Sequence, residues 1–151
     1  MRVEGKSIIV TGAGGGIGEG IARRLASEGA AVIVNDINAA LGEKVTADIN
    51  AAGGRARFVA GDVTNSADWQ ALVAAAQAFG GQLDVIVNNA GWTHRNRPML
   101  EVSEAEFDKV YDVNMKSIYW SAVHGVPAMQ QAGGGSFINI ASTAGVRPRP
   151  G

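Results

Sequence analysis

The fold this sequence predicts is α/β: a doubly wound parallel sheet in one domain spanning residues 1–151. Three features predict it. Short β-branched runs alternate with segments whose apolar residues recur every fourth position. The runs are apolar on both faces, as strands buried in a parallel sheet are. Glycines separate the first run from the first helical segment.

The first strand is expected at Ser7–Val10, followed by a helix carrying Ile17, Ile21 and Leu25 on one face. Ala31–Asn35 is the second strand, and Leu41, Val45 and Ile49 form the stripe behind it. Arg57–Val59 is the third, followed by Trp69, Leu72, Val73, Ala76 and Phe79. Val85–Val87 is the fourth. A long helix then starts near Ser103, with Glu106 at capping-box spacing and Phe107, Val110, Tyr111 and Ile118 as its inward stripe. Ser136–Ile140 is the fifth. Each stripe is expected to lie on the sheet. Right-handed crossovers give these five strands the order 3-2-1-4-5 and place a ligand crevice at their carboxyl ends.

Composition narrows the function. Thirteen Lys and Arg against fourteen Asp and Glu leave no basic run to neutralise the phosphates of a polynucleotide, so nucleic-acid binding is not expected. With no cysteine there is no thiolate metal site and no disulfide framework, and no metal is expected. The amino terminus lacks a secretory apolar core and no apolar run reaches membrane-spanning length, so no membrane association and a cytoplasmic location are expected.

The chemistry starts at the first turn. Gly12, Gly16 and Gly18 lie between the first strand and its helix, where missing side chains let backbone N–H groups approach a pyrophosphate at the positive helix end. Ile17 stands where a G-x-G-x-x-G fingerprint has its third glycine, and no Gly-Lys-Ser/Thr follows as a Walker motif requires. Asp36 ends the second strand, where a carboxylate accepts from the adenosine ribose hydroxyls; it is also suited to cap the next helix. Asp62 and Val63 close the third strand at the same edge, one able to accept from an adenine amino group and the other to pack on the ring. A dinucleotide, with NAD preferred because Asp36 repels a 2′-phosphate, is the cofactor these residues suggest.

With these motifs in place, the chain resembles the classical short-chain dehydrogenases/reductases of NAD-preferring type over almost its whole length. Thr11-Gly12 with Gly16-Ile17-Gly18 is similar to the family's cofactor loop, Asp62-Val63 to its adenine contact, and Asn88-Asn89-Ala90-Gly91 to its turn after the fourth strand. The resemblance implies a Rossmann-like fold and hydride transfer between NAD(H) and a small-molecule secondary alcohol or ketone. The alternative is a catalytically inactive nucleotide-binding or interaction fragment. It further implies that Asn89, Ala90 and Gly91 line the cofactor, that Asn88 braces the sheet, and that the full-length parent is a homo-oligomer.

Two catalytic candidates follow from the same resemblance. Asn114, on the apolar face of the long helix, either satisfies its amide locally or kinks the helix and holds a water in a proton relay. Ser142, just beyond the fifth strand, is either a turn serine or a donor to the substrate oxygen. The family's set is completed by a Tyr-x-x-x-Lys pair. Tyr111 is followed four residues on by Met115 and Tyr119 by Val123, so the pair is expected just beyond Gly151, together with the family's later strands. Residues 1–151 alone are then expected to be inactive.

Overall fold

The computed structural model describes residues 1–147. Five parallel strands, β1 (Ser7–Val10), β2 (Ala31–Asp36), β3 (Arg55–Ala60), β4 (Val85–Asn88) and β5 (Ser136–Asn139), form one sheet in the order β3-β2-β1-β4-β5. The predicted order is the observed one. β3 extends two residues earlier and one later than its apolar run, because Arg55 and Arg57 lie on this edge strand and set their guanidinium groups over the Phe79 ring. Registers are continuous, with Ile9 opposite Ile33 on one side and Ile86 on the other.

The strand period of two sorts the core into two layers. Ile8, Val10, Val32 and Val34 pack with Ala22, Val45 and Ile49 of helices α1 (Gly16–Ser27) and α2 (Ala39–Ala51). Ile9, Ile33 and Ile86 point the other way. They pack with Trp69, Leu72 and Val73 of α3 (Ser66–Gly80) and Met129 of α5 (Ser117–Gln131). Apolar surface on both faces of one strand is thus covered twice, which is what doubly wound means physically.

Two stripes depart from expectation. Ile17 and Leu41 begin their helices beyond the sheet's edge and are exposed, not packed on the sheet. The long helix is three pieces: α4 (Glu104–Tyr111), a π-helical turn at Asp112–Lys116, and α5. Ser103 caps α4 in a complete capping box with Glu106. The inserted turn rotates the face that follows it, so Phe107 and Tyr111 are exposed and do not form an inward stripe. Val113, Trp120, Ala128 and Met129 make the inward contacts instead.

Candidate functional site

A crevice of about 470 Å³ opens at the carboxyl ends of the strands. Gly12, Gly14 and Gly15 form its floor beyond β1, Asp36, Ile37 and Leu41 one side beyond β2, and Gly61, Asp62 and Val63 the part beyond β3. Asn89, Ala90, Gly91 and Trp92 come from the end of β4, and Lys109 and Val113 from the α4 side. This is the edge where an open parallel sheet binds its ligand.

The glycine loop is shaped for a close approach. Gly12 has φ of 60°, and a Cβ there would lie 2.9 Å from the Cα of Ala90. Gly18 serves packing: a Cβ on it would fall 2.3 Å from the Gly12 carbonyl oxygen. Gly16 is the first residue of α1, and Ile17 behind it projects outward. α2, α3 and α4 each receive a side-chain cap, from Asn38, Asn65 and Ser103, whereas Gly15 gives α1 none. The first N–H groups of α1 are therefore left for another acceptor.

Asp36 does not cap α2; Asn38 does, because its side chain is the one that accepts from the Leu41 N–H. The Asp36 carboxylate is oriented by two main-chain donors, the N–H of Gly14 at 2.9 Å and that of Asn38 at 2.9 Å. Each oxygen keeps a lone pair. At the end of β3, Asp62 accepts from the Thr64 N–H and hydroxyl, and its own N–H donates to Asp68. Val63 is buried in the crevice wall. The turn carrying these two residues is anchored by Asn35, whose amide donates to the carbonyls of Val59 and Gly61.

The turn after β4 is clipped to the glycine loop. Thr11, fully buried, accepts at its hydroxyl from the N–H groups of Asn89 and Ala90, and Asn89 donates to the carbonyls of Thr11 and Gly12. Thr11 therefore holds the crevice in shape without lining it. Asn88 braces the sheet, donating to the Ser121 hydroxyl and to Asn139 of β5.

Asn114 sits in the π-helical turn, and its amide is largely spent on the chain. It donates to the carbonyls of Trp92 (2.6 Å) and Val110 (2.9 Å) and accepts from the Trp92 N–H (3.0 Å). Its side-chain N–H groups leave none for a water. Nearby, Glu106 is held below the usual carboxylate range by the Ser103 N–H and hydroxyl, with Arg97 adding an ion pair. Ser142 caps a short 3₁₀ turn, Thr143–Gly145, accepting from the Ala144 N–H at 3.1 Å; it is exposed and stands apart from the crevice lining.

The structure thus brings Gly12, Asp36, Asp62, Val63, Asn89, Ala90 and Gly91 into one crevice, packs Thr11 and Gly18 behind it, and leaves Ser142 outside it. Sequence reasoning missed Gly14, Trp92, Lys109 and Val113. The four-residue spacing from Lys109 to Val113 was the available signal. Among the described residues, no group of three or more His, Asp or Glu gathers to hold a metal, and no helix is long and apolar enough to cross a membrane.

Residues 6–151 match the family model described as short chain dehydrogenase. The chain is 52% identical over 151 residues to 4-formylbenzenesulfonate dehydrogenase of Comamonas testosteroni, covering 100% of this chain and 60% of that protein. With cyclohexanol dehydrogenase of Acinetobacter sp. (strain SE19) the identity is 37% over 145 residues, covering 96% of this chain and 58% of the relative. A solved structure of 7 alpha-hydroxysteroid dehydrogenase with NADH and 7-oxo glycochenodeoxycholic acid superposes with a TM-score of 0.92 at 35% identity, over 98% of this chain and 57% of that one. The chain spans about 60% of the length of the curated relatives it matches.

Proposed function

Because the chain belongs to the short chain dehydrogenase family, we propose that it is the cofactor-binding portion of an NAD(H)-dependent oxidoreductase acting on a small-molecule alcohol and its carbonyl counterpart. One observation carries this reading: the uncapped start of α1, the doubly oriented Asp36 carboxylate and the Asp62–Val63 turn face one crevice. They suit, in turn, a pyrophosphate, a ribose diol and a purine. NAD(H) supplies the hydride; the chain's own residues bind and orient it. The relatives' printed substrates, a formylbenzenesulfonate and a cyclohexanol, support an alcohol or carbonyl group on a ring.

In this reading Asn114 positions the crevice wall through Trp92, and Ser142 donates to the substrate oxygen once chain beyond Gly151 supplies the tyrosine and lysine. Asp36 selects NAD over NADP, since neither Gly15 nor Ile37 beside it offers a countercharge to a 2′-phosphate. The exposed apolar residues along α4 and α5, Phe107, Tyr111, Met115 and Tyr119, support pairing with a second copy in the full-length protein.

The test is titration of the protein with NAD and NADP, alongside NADH absorbance with cyclic ketones and aromatic aldehydes. NAD is expected to bind at least about tenfold tighter, because a buried like-charge contact costs more than about 1.4 kcal/mol. Asp36→Ala narrows that gap. Residues 1–151 alone are expected to transfer no hydride, and a longer polypeptide carrying the Tyr-x-x-x-Lys pair to turn over. Equal NADP binding overturns the cofactor choice; turnover by residues 1–151 overturns the missing acid/base.

A further inference from the structure

One part of the crevice wall is left unused by the function proposed above. Trp92 and Lys109 line it beside Val113, and the Lys109 ammonium sits 4.4 Å from the centre of the Trp92 ring. The ring is steadied from behind, because Asn114 holds both the N–H and the carbonyl of Trp92. Among the described residues Lys109 forms no ion pair with a carboxylate, although its neighbours Arg97 and Lys116 each do. It is also the one cation among the residues that line the crevice, which otherwise carries Asp36 and Asp62.

A cation over an aromatic face is fixed in place yet keeps its three N–H groups for acceptors. The pyrophosphate already has the uncapped start of α1. What remains for Lys109 is the base. Adenine presents a donor at its 6-amino group and acceptors at its ring nitrogens. Asp62 supplies an acceptor, Lys109 a donor, and Val63 and Val113 supply apolar surface for the ring faces. Resting on the nucleotide reading above, we propose that Lys109, held over Trp92, is a cofactor-contacting residue that closes the base end of the crevice and donates to a ring nitrogen of adenine. Trp92 is its positioning residue.

Lys109 is exposed on α4, so its replacement leaves the core intact. The experiment is calorimetric titration of the full chain with ADP-ribose and with nicotinamide mononucleotide. Lys109→Met is expected to weaken ADP-ribose about five- to tenfold, the scale of one hydrogen bond from a charged donor, and to leave nicotinamide mononucleotide unchanged. Lys109→Arg restores most of the loss. ADP-ribose is also expected to change the tryptophan emission of the unaltered protein, and Trp92→Phe to remove that change. Unaltered ADP-ribose affinity in Lys109→Met overturns the proposal alone, and an equal loss for both ligands overturns it in favour of a diffuse charge effect. If the unaltered protein binds no ADP-ribose, the nucleotide reading itself fails and this proposal falls with it.

Discussion

β1 and β5 are strands of equal length and similar character, Ser-Ile-Ile-Val and Ser-Phe-Ile-Asn, yet every residue of β1 is buried while β5 is mostly open. The difference lies in what surrounds them. β1 has β2 and β4 on its two sides, α1 on one face and α3 on the other, whereas β5 is bonded to β4 alone. Side-chain type therefore predicts that a strand forms, and its neighbours decide how deep it lies. The same contrast divides the site. The ends of β1 to β4 converge on a walled crevice, and the end of β5 delivers Ser142 to an exposed turn.

One substitution made on both strands tests this directly. Ile9 is fully buried at the sheet's centre, and Ile138 is 48% exposed. Ile9→Ala is expected to cost about 3–4 kcal/mol, combining lost transfer energy with a cavity that rigid neighbours cannot fill. Ile138→Ala is expected to cost less than about 1 kcal/mol in residues 1–151. Urea unfolding of the two variants gives both numbers, and equal costs break the comparison. Repeating Ile138→Ala in a polypeptide that continues past Gly151 sharpens it: a cost risen to about 2 kcal/mol means that following chain covers β5.

Ser142 gives the next largest expected effect, this time on rate. In a longer polypeptide that turns over, Ser142→Ala is expected to lower kcat about a hundredfold by removing a donor to the oxygen on which charge develops, with NAD affinity unchanged. The hydroxyl also accepts from the Ala144 N–H, so a purely structural role is a concrete rival. Normal kcat together with a markedly lower melting temperature would decide for that rival and detach the open end of the sheet from the chemistry.

The walled half of the molecule was the more legible half. Strand order followed from alternation and crossover handedness, and the residues flanking each strand's carboxyl end, Gly12, Asp36, Asp62, Val63 and Asn89, do meet in the crevice. A strand end has one destination in such a sheet. Helix faces do not. Phe107 and Tyr111 carry a helical apolar spacing, but the π-helical turn at Asp112–Lys116 shifts the register, and no local spacing announces an inserted residue. Lys109 and Val113 reach the crevice through that same placement, which is tertiary. Thr11 and Gly18 show the converse limit: the motif marks them, but only the packed loop reveals that they act behind the wall, Thr11 through the Asn89 and Ala90 amides and Gly18 through the Gly12 carbonyl.

The smallest expected effect lies at the amino-terminal ends of the strands, far from the crevice, and isolates the stability of the walled half from its function. Asp84 is buried between β1 and β4. Burial alone raises its pKa, but the Ser7 N–H, the Lys6 ammonium and the Gln82 amide together outweigh it and hold the carboxyl below its ordinary value. A depressed folded pKa means the unfolded chain binds the proton more tightly. The carboxylate's stabilisation is therefore fully present above the ordinary Asp value of about 3.9 and is lost as pH falls through the lower folded value. Asp84→Asn keeps the shape but removes the charge that Lys6 and the Ser7 N–H use, and is expected to cost about 1–2 kcal/mol at neutral pH. The gap to the unaltered protein then closes as the medium is acidified below about pH 4. Thermal unfolding of both proteins from pH 7 to pH 3 reads this out, with ADP-ribose affinity at pH 7 as the control. A pH-independent gap assigns Asp84 a packing role only, and a changed ADP-ribose affinity shows that the two ends of β1 are coupled.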